Sequence, residues 1–166
     1  MILVLFLFAC GYFRPTEGEF LRIHIRADSN DPADQAVKLR VRDAVIRYLT
    51  PVLNGIPTLE RAKAAVTERL DELRALAEEV LRANGFSYGA EVAVRREKFP
   101  TKTYGDKTLL AGVYDAIVVL LGSGEGDNWW CVAYPNFCFL SEAEDVEYRS
   151  FLKDIIDDRS KYEKNV

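Results

Sequence analysis

The sequence predicts an α+β fold in one domain, and three observations carry that expectation. A short stretch near the start alternates apolar and polar side chains, as a half-buried strand does. Two long stretches then repeat apolar residues at three- and four-residue spacing, as amphipathic helices do. Three later runs are rich in β-branched and aromatic residues and are joined by short connections. The expected order is strand, two helices, three mostly antiparallel strands, and a final helix.

The first strand is Phe20 to Ala27, ended by the turn cluster Asp28-Ser29-Asn30-Asp31-Pro32. Asp31 is placed to cap the first helix, with Pro32 at its first position, where a missing N–H costs nothing. Val37, Val41, Ala44, Val45, Tyr48, Leu49 and Val52 form its apolar face, and Pro51 is expected to kink or end it. Thr58 caps the second helix, whose stripe is Leu59, Ala62, Val66, Leu70, Leu73, Ala77 and Val80. The stripe fits a helix pair packed on a sheet better than a long coiled coil, because a short loop joins the two helices. Strands are expected around Glu91–Arg95, Val113–Leu121 and Trp129–Tyr134, and Ser141-Glu142-Ala143-Glu144 reads as a capping box opening the last helix.

Residues Ile2 to Ala9 are continuously apolar, too few for a membrane span but the length of a secretory h-region. The expected division is therefore 1–19, a signal-peptide-like or membrane-associated N-terminus; 20–156, the folded domain; and 157–166, a flexible tail. A buried strand is the competing reading of the apolar run.

The 166 residues suit one core, at 49% hydrophobic and 29% charged. A net charge of −4 argues against a nucleic-acid partner, which calls for a basic face. With three cysteines, Cys10, Cys131 and Cys138, at most one internal bridge can form. Cys10 lies in the apolar run, which leaves Cys131 and Cys138 as the pair; two buried free thiols are the alternative. A single histidine and no Cys-x-x-Cys motif argue against a zinc site, so no metal and no cofactor are expected.

Catalytic arrangements are scarce. Gly122-Ser123-Gly124-Glu125-Gly126 resembles a phosphate-cradling loop, but a strand follows it rather than a helix N-terminus, and a hairpin connection accounts for it better. His24 is the one imidazole base available, and pairing it with Cys131, Cys138 or an acid such as Asp106 would suggest a hydrolase. A strand histidine hydrogen-bonded to a nearby turn is the plainer account. Phe99 to Asp106 is too long and too specific in side-chain type for a minimal hairpin, so it reads as a recognition loop. Lys102, Tyr104 and Asp106 are its candidate contacts. Trp129 and Trp130 must point to opposite faces of their strand; one is a candidate binding anchor, unless both lie under loops.

Two blocks of sequence carry a resemblance. The first runs Ile23-His24-Ile25-Arg26-Ala27-Asp28-Ser29-Asn30-Asp31-Pro32 and on to Val45. The second joins Phe99-Pro100-Thr101-Lys102-Thr103-Tyr104-Gly105-Asp106, Ala111-Gly112-Val113-Tyr114-Asp115-Ala116, Gly122 to Val132, and Pro135-Asn136-Phe137-Cys138-Phe139. Together they resemble the stage II sporulation protein R family of endospore-forming bacteria. Leu110 and Asn136 stand where that family usually has prolines, and Asp28 where an asparagine is usual. The resemblance implies a non-enzymatic signal, made in the forespore and exported to the space between forespore and mother-cell membranes. There it would activate a membrane-embedded aspartic protease that matures the precursor of the early mother-cell sigma factor.

Overall fold

The computed structural model describes residues 20–135 except 105 and 106. In chain order the elements are β1 (Leu21–Arg26), α1 (Pro32–Leu53), α2 (Leu59–Thr67), α3 (Leu70–Ala83), β2 (Ala90–Phe99), β3 (Lys102–Tyr104), β4 (Lys107–Leu109), β5 (Gly112–Leu121) and β6 (Asn128–Tyr134). Four strands form one sheet in the order β2-β5-β1-β6, while among the described residues β3 and β4 pair only with each other. β1 runs parallel to β5 and antiparallel to β6, and β2 runs antiparallel to β5. The α+β expectation holds. The capping box at Ser141, residues 1–19 and the 157–166 tail lie outside the described residues.

Side-chain alternation along β1 sorts the core into two layers. Leu21, Ile23 and Ile25 join Ile117, Val119, Leu121 and Ala133 beneath the helices, against Val37, Val41, Val45, Leu49, Leu73, Ala77 and Leu81. Each fully buried Val, Leu or Ile contributes about 1.5–3 kcal/mol, so this layer dominates the stability. The opposite face carries no helix among the described residues. There Phe20 and Val132 pack with Phe99, Leu109, Tyr114, Ala116 and Val118.

Local signals set most boundaries. Asp31 occupies the N-cap with extended backbone and Pro32 follows, but the Asp31 side chain makes no capping bond. Instead Ser29 Oγ accepts from the Asp31 amide at 3.0 Å. The Thr58 hydroxyl does cap α2, accepting from the Arg61 amide. Pro51 is tolerated inside α1, which ends two residues later at Leu53.

Three expectations are corrected. The second helix is broken into α2 and α3, because the chain leaves helical geometry at Arg69 (φ −118°, ψ 15°). Ala62, Val66, Leu73, Ala77 and Leu81 keep helical spacing across the break, so periodicity could not show it. The segment Phe99–Asp106 is not an open loop. Lys102, Thr103 and Tyr104 pair with Leu109, Thr108 and Lys107, forming one arm of a small hairpin. Finally, the glycine-rich stretch is not a hairpin between paired strands, because β1 lies between β5 and β6. Two strand spacings are about 10 Å. Residues 122–127 can reach roughly 20 Å when extended, so they cross over the end of β1 with room to spare.

That crossing explains the composition of both loops. The Gly126 amide donates to the Ala27 carbonyl at 2.9 Å and the Glu125 amide to the Asp28 carbonyl at 3.1 Å. The Asp28 carboxylate accepts from the Ser123 amide at 2.5 Å, and Asn30 Oδ1 from the Asp127 amide at 2.7 Å. Asparagine would offer the same acceptor as Asp28, so the family departure there leaves the bond intact. Gly122 has φ +56°, the left-handed region that glycine enters without strain.

Candidate functional site

The helix-free face of the sheet gathers the unusual chemistry. Arg22 projects from the start of β1 and has no exposed surface. Its guanidinium lies 4.1 Å from the Phe99 ring centroid and 4.9 Å from that of Tyr114, within cation–π range. Nη2 donates to the Tyr104 hydroxyl at 2.6 Å, and Nε reaches the Cys131 carbonyl at 3.5 Å. Nη1 is buried with no acceptor. Burial raises the Tyr104 hydroxyl above its ordinary pKa, against the opposing charge of Arg22.

Two residues on, His24 stacks on Trp130 with centroids 3.7 Å apart and planes 19° from parallel. Its Nε2 and Asn128 Oδ1 are 2.6 Å apart, so the imidazole donates and the amide oxygen accepts. Nδ1 then lacks a hydrogen-bond partner, with Glu97 Oε1 at 3.9 Å. Burial holds the His24 pKa below its ordinary value; the Asn128 bond and Glu97 pull the other way. The ring is 3% exposed and stacked face-on, so it is poorly placed to collect a substrate proton.

The structure brings some candidates together and separates others. Tyr104 and Trp130 both pack against the helix-free layer. Trp129 packs on the helix side, with the Arg42 guanidinium 5.6 Å from its ring. Neither indole stands fully exposed. Lys102 is exposed on the hairpin, next in register to Leu109. Leu110, immediately after, is 69% exposed. Asp106 and Cys138 lie outside the described residues. Cys131 pairs in register with Ile23, a helix-side residue, so its side chain and that of His24 point to opposite faces. No three His, Cys, Asp or Glu side chains among the described residues converge as metal ligands.

Sequence reading missed Arg22. It was assigned to the polar face of a half-buried strand, whereas β1 is central and buried on both sides. The available signal was the aromatic content of Phe99, Tyr104 and Tyr114, which supplies the rings that enclose a cation.

Comparison with known proteins follows from the same residues. The family model described as stage II sporulation protein R matches residues 17–144. The stage II sporulation protein R of Bacillus subtilis (strain 168) is 38% identical over 120 residues, which is 72% of this chain and 54% of the relative. The chain therefore spans about half the length of that relative. No solved structure matches.

Proposed function

The chain belongs to the stage II sporulation protein R family, and from that premise we propose that it is an exported signal that activates a membrane-embedded aspartic protease. Activation leads to maturation of the precursor of the early mother-cell sigma factor. The protein is made in the forespore, acts in the space between the forespore and mother-cell membranes, and works as a ligand rather than an enzyme. Its apolar residues 2–9 support export. The observation that carries a binding role is the hairpin, which presents exposed Lys102 beside exposed Leu110. An uncovered apolar side chain beside a cation offers a partner both apolar area to bury and a charge to meet.

Tyr104 and Trp130 support that surface from below. Because the Tyr104 hydroxyl bonds buried Arg22, truncating it would lower stability as well as contact, whereas Lys102 separates the two effects. A strain lacking the chain is expected to accumulate unprocessed sigma-factor precursor and to regain maturation when the full chain is supplied. Lys102→Ala in that strain should weaken the signal by roughly thirtyfold, the effect of a 2 kcal/mol anchor. Its melting temperature should stay at the wild-type value. Normal maturation without the chain would refute the signalling role, and a silent Lys102→Ala would move the contact surface elsewhere.

The exported form carries a Cys131–Cys138 disulfide on this reading, since thiols oxidise outside the cytoplasm. Closing the short loop contributes about 2–3 kcal/mol, chiefly by restricting the unfolded chain. Thiol labelling with mass spectrometry of the non-reduced protein should find both sulfurs protected. Two labelled cysteines would remove the bridge.

A further inference from the structure

Three consecutive side chains of β1 on the helix-free face each keep a buried polar atom without a partner: Arg22 Nη1, His24 Nδ1 and Arg26 Nε. Two of these are guanidinium donors, which call for an acceptor. Arg22 is the extreme case. Fully buried, it has no carboxylate within ion-pair distance among the described residues. Aromatic faces, one hydroxyl and one distant carbonyl offset only part of the desolvation of a guanidinium, and an apolar side chain of similar volume often serves a core better. The fold alone gives little reason for an arginine here.

We propose that Arg22 is a recognition residue whose missing acceptor is a carboxylate, supplied by an acidic side chain of the partner protein. This rests on the reading of the chain as a protein ligand for the identity of the occupant alone. The planar fork of Nη1 and Nη2 matches a carboxylate in a bidentate pair. Nη2 is now held by the Tyr104 hydroxyl, so the arriving carboxylate displaces Tyr104 and engages the empty Nη1 together with Nη2. The route in is the β3–β4 hairpin, which among the described residues pairs with no other strand. A two-stranded hairpin is marginal by itself, so it can lift without breaking the four-stranded sheet. Charge favours an anionic occupant: Arg22, Arg26 and Arg95 outnumber Glu91 and Glu97 on this face, and Lys102 is exposed on the hairpin.

The test uses the purified full chain with acetate as the probe and chloride and sulfate at matched ionic strength as controls. Arginine side-chain nitrogen resonances are followed by NMR, and melting curves are recorded for wild type and Arg22→Met. The Arg22 resonances should move and saturate with acetate but not with chloride or sulfate, and the movement should vanish in Arg22→Met. Arg22→Met should melt within about 2 °C of wild type or higher, because a buried cation gives way to an apolar chain of similar length. No acetate response in the wild type overturns the site, whatever the variant does. An equal response to sulfate overturns the carboxylate specificity, and a fall of more than about 5 °C in Arg22→Met makes the residue structural. None of these readouts involves the protease, so the site can fail while the signalling role stands, and the reverse.

Discussion

Replacing Gly126 with alanine is expected to lower the melting temperature by roughly 10 °C, from a loss of about 3 kcal/mol. The glycine is not there for an unusual dihedral, since its φ lies outside the positive region. It is there for space. A Cβ at this position would sit 2.2 Å from the Ser29 carbonyl oxygen, 2.6 Å from the carbonyl carbon and 2.9 Å from the Ala27 Cβ. The first two atoms belong to the backbone and cannot rotate away, so the two loops must part. Parting them stretches the Gly126–Ala27 amide bond and endangers the neighbouring Glu125–Asp28 bond. Gly122 differs in kind: its φ of +56° already strains any side chain, and its added Cβ would meet the Asp28 carboxylate at 2.2 Å and the Asp28 Cβ at 2.9 Å. Calorimetry on Gly126→Ala beside the exposed-site control Glu125→Ala would decide the matter. A Gly126→Ala variant that melts with the control would mean the crossing is looser than these contacts require.

Trp130→Ala is expected to cost about 3 kcal/mol, the low end for a buried aromatic because the indole is only half-buried. It removes the face of the His24 stack and an edge contact to Phe99 at 4.7 Å. A second consequence separates this loss from ordinary cavity formation. Burial is the main reason the His24 pKa is low, so opening the site to water should raise it toward 6.5. The chain has one histidine, so its ring-proton titration by NMR is unambiguous. The sign of the linkage follows from the depressed folded value. The stabilisation from keeping His24 neutral is fully present above the unfolded value of about 6.5 and is lost as pH falls through the folded pKa. Trp130→Ala should therefore flatten the dependence of stability on pH below neutrality. An unchanged His24 titration would show that the stack does not control its hydration.

Much of the architecture was legible in the sequence because local chemistry decided it. Alternation from Phe20 to Ala27 marked β1, and Thr58 and Pro32 marked helix starts that the structure retains. What escaped depended on pairing at a distance. Nothing in residues 113–134 says that another strand, some 90 residues earlier, inserts between β5 and β6. The glycines at 122 and 126 were visible, but their purpose needs the Asp28–Ser29 turn beneath them. At the site, Tyr104 and Trp130 were found through their types, and the structure places them on one face. Arg22 was lost because an arginine in an alternating strand ordinarily faces water, and only the central place of β1 denies it that.

The place of β1 also sets an order of events. It leaves the ribosome before every other described element, yet both of its strand partners, β5 and β6, come last. Helices α1 to α3 and the β2–β5 pair rest on shorter-range contacts and can close early. The central strand must wait for a loop of about a hundred residues to close, which adds a substantial entropic barrier and slows folding. Until then its Leu21, Ile23 and Ile25 side of the core stays open. A nascent chain of this design remains incompletely folded until β5 and β6 have been made, the state in which a polypeptide can still be threaded through a narrow pore.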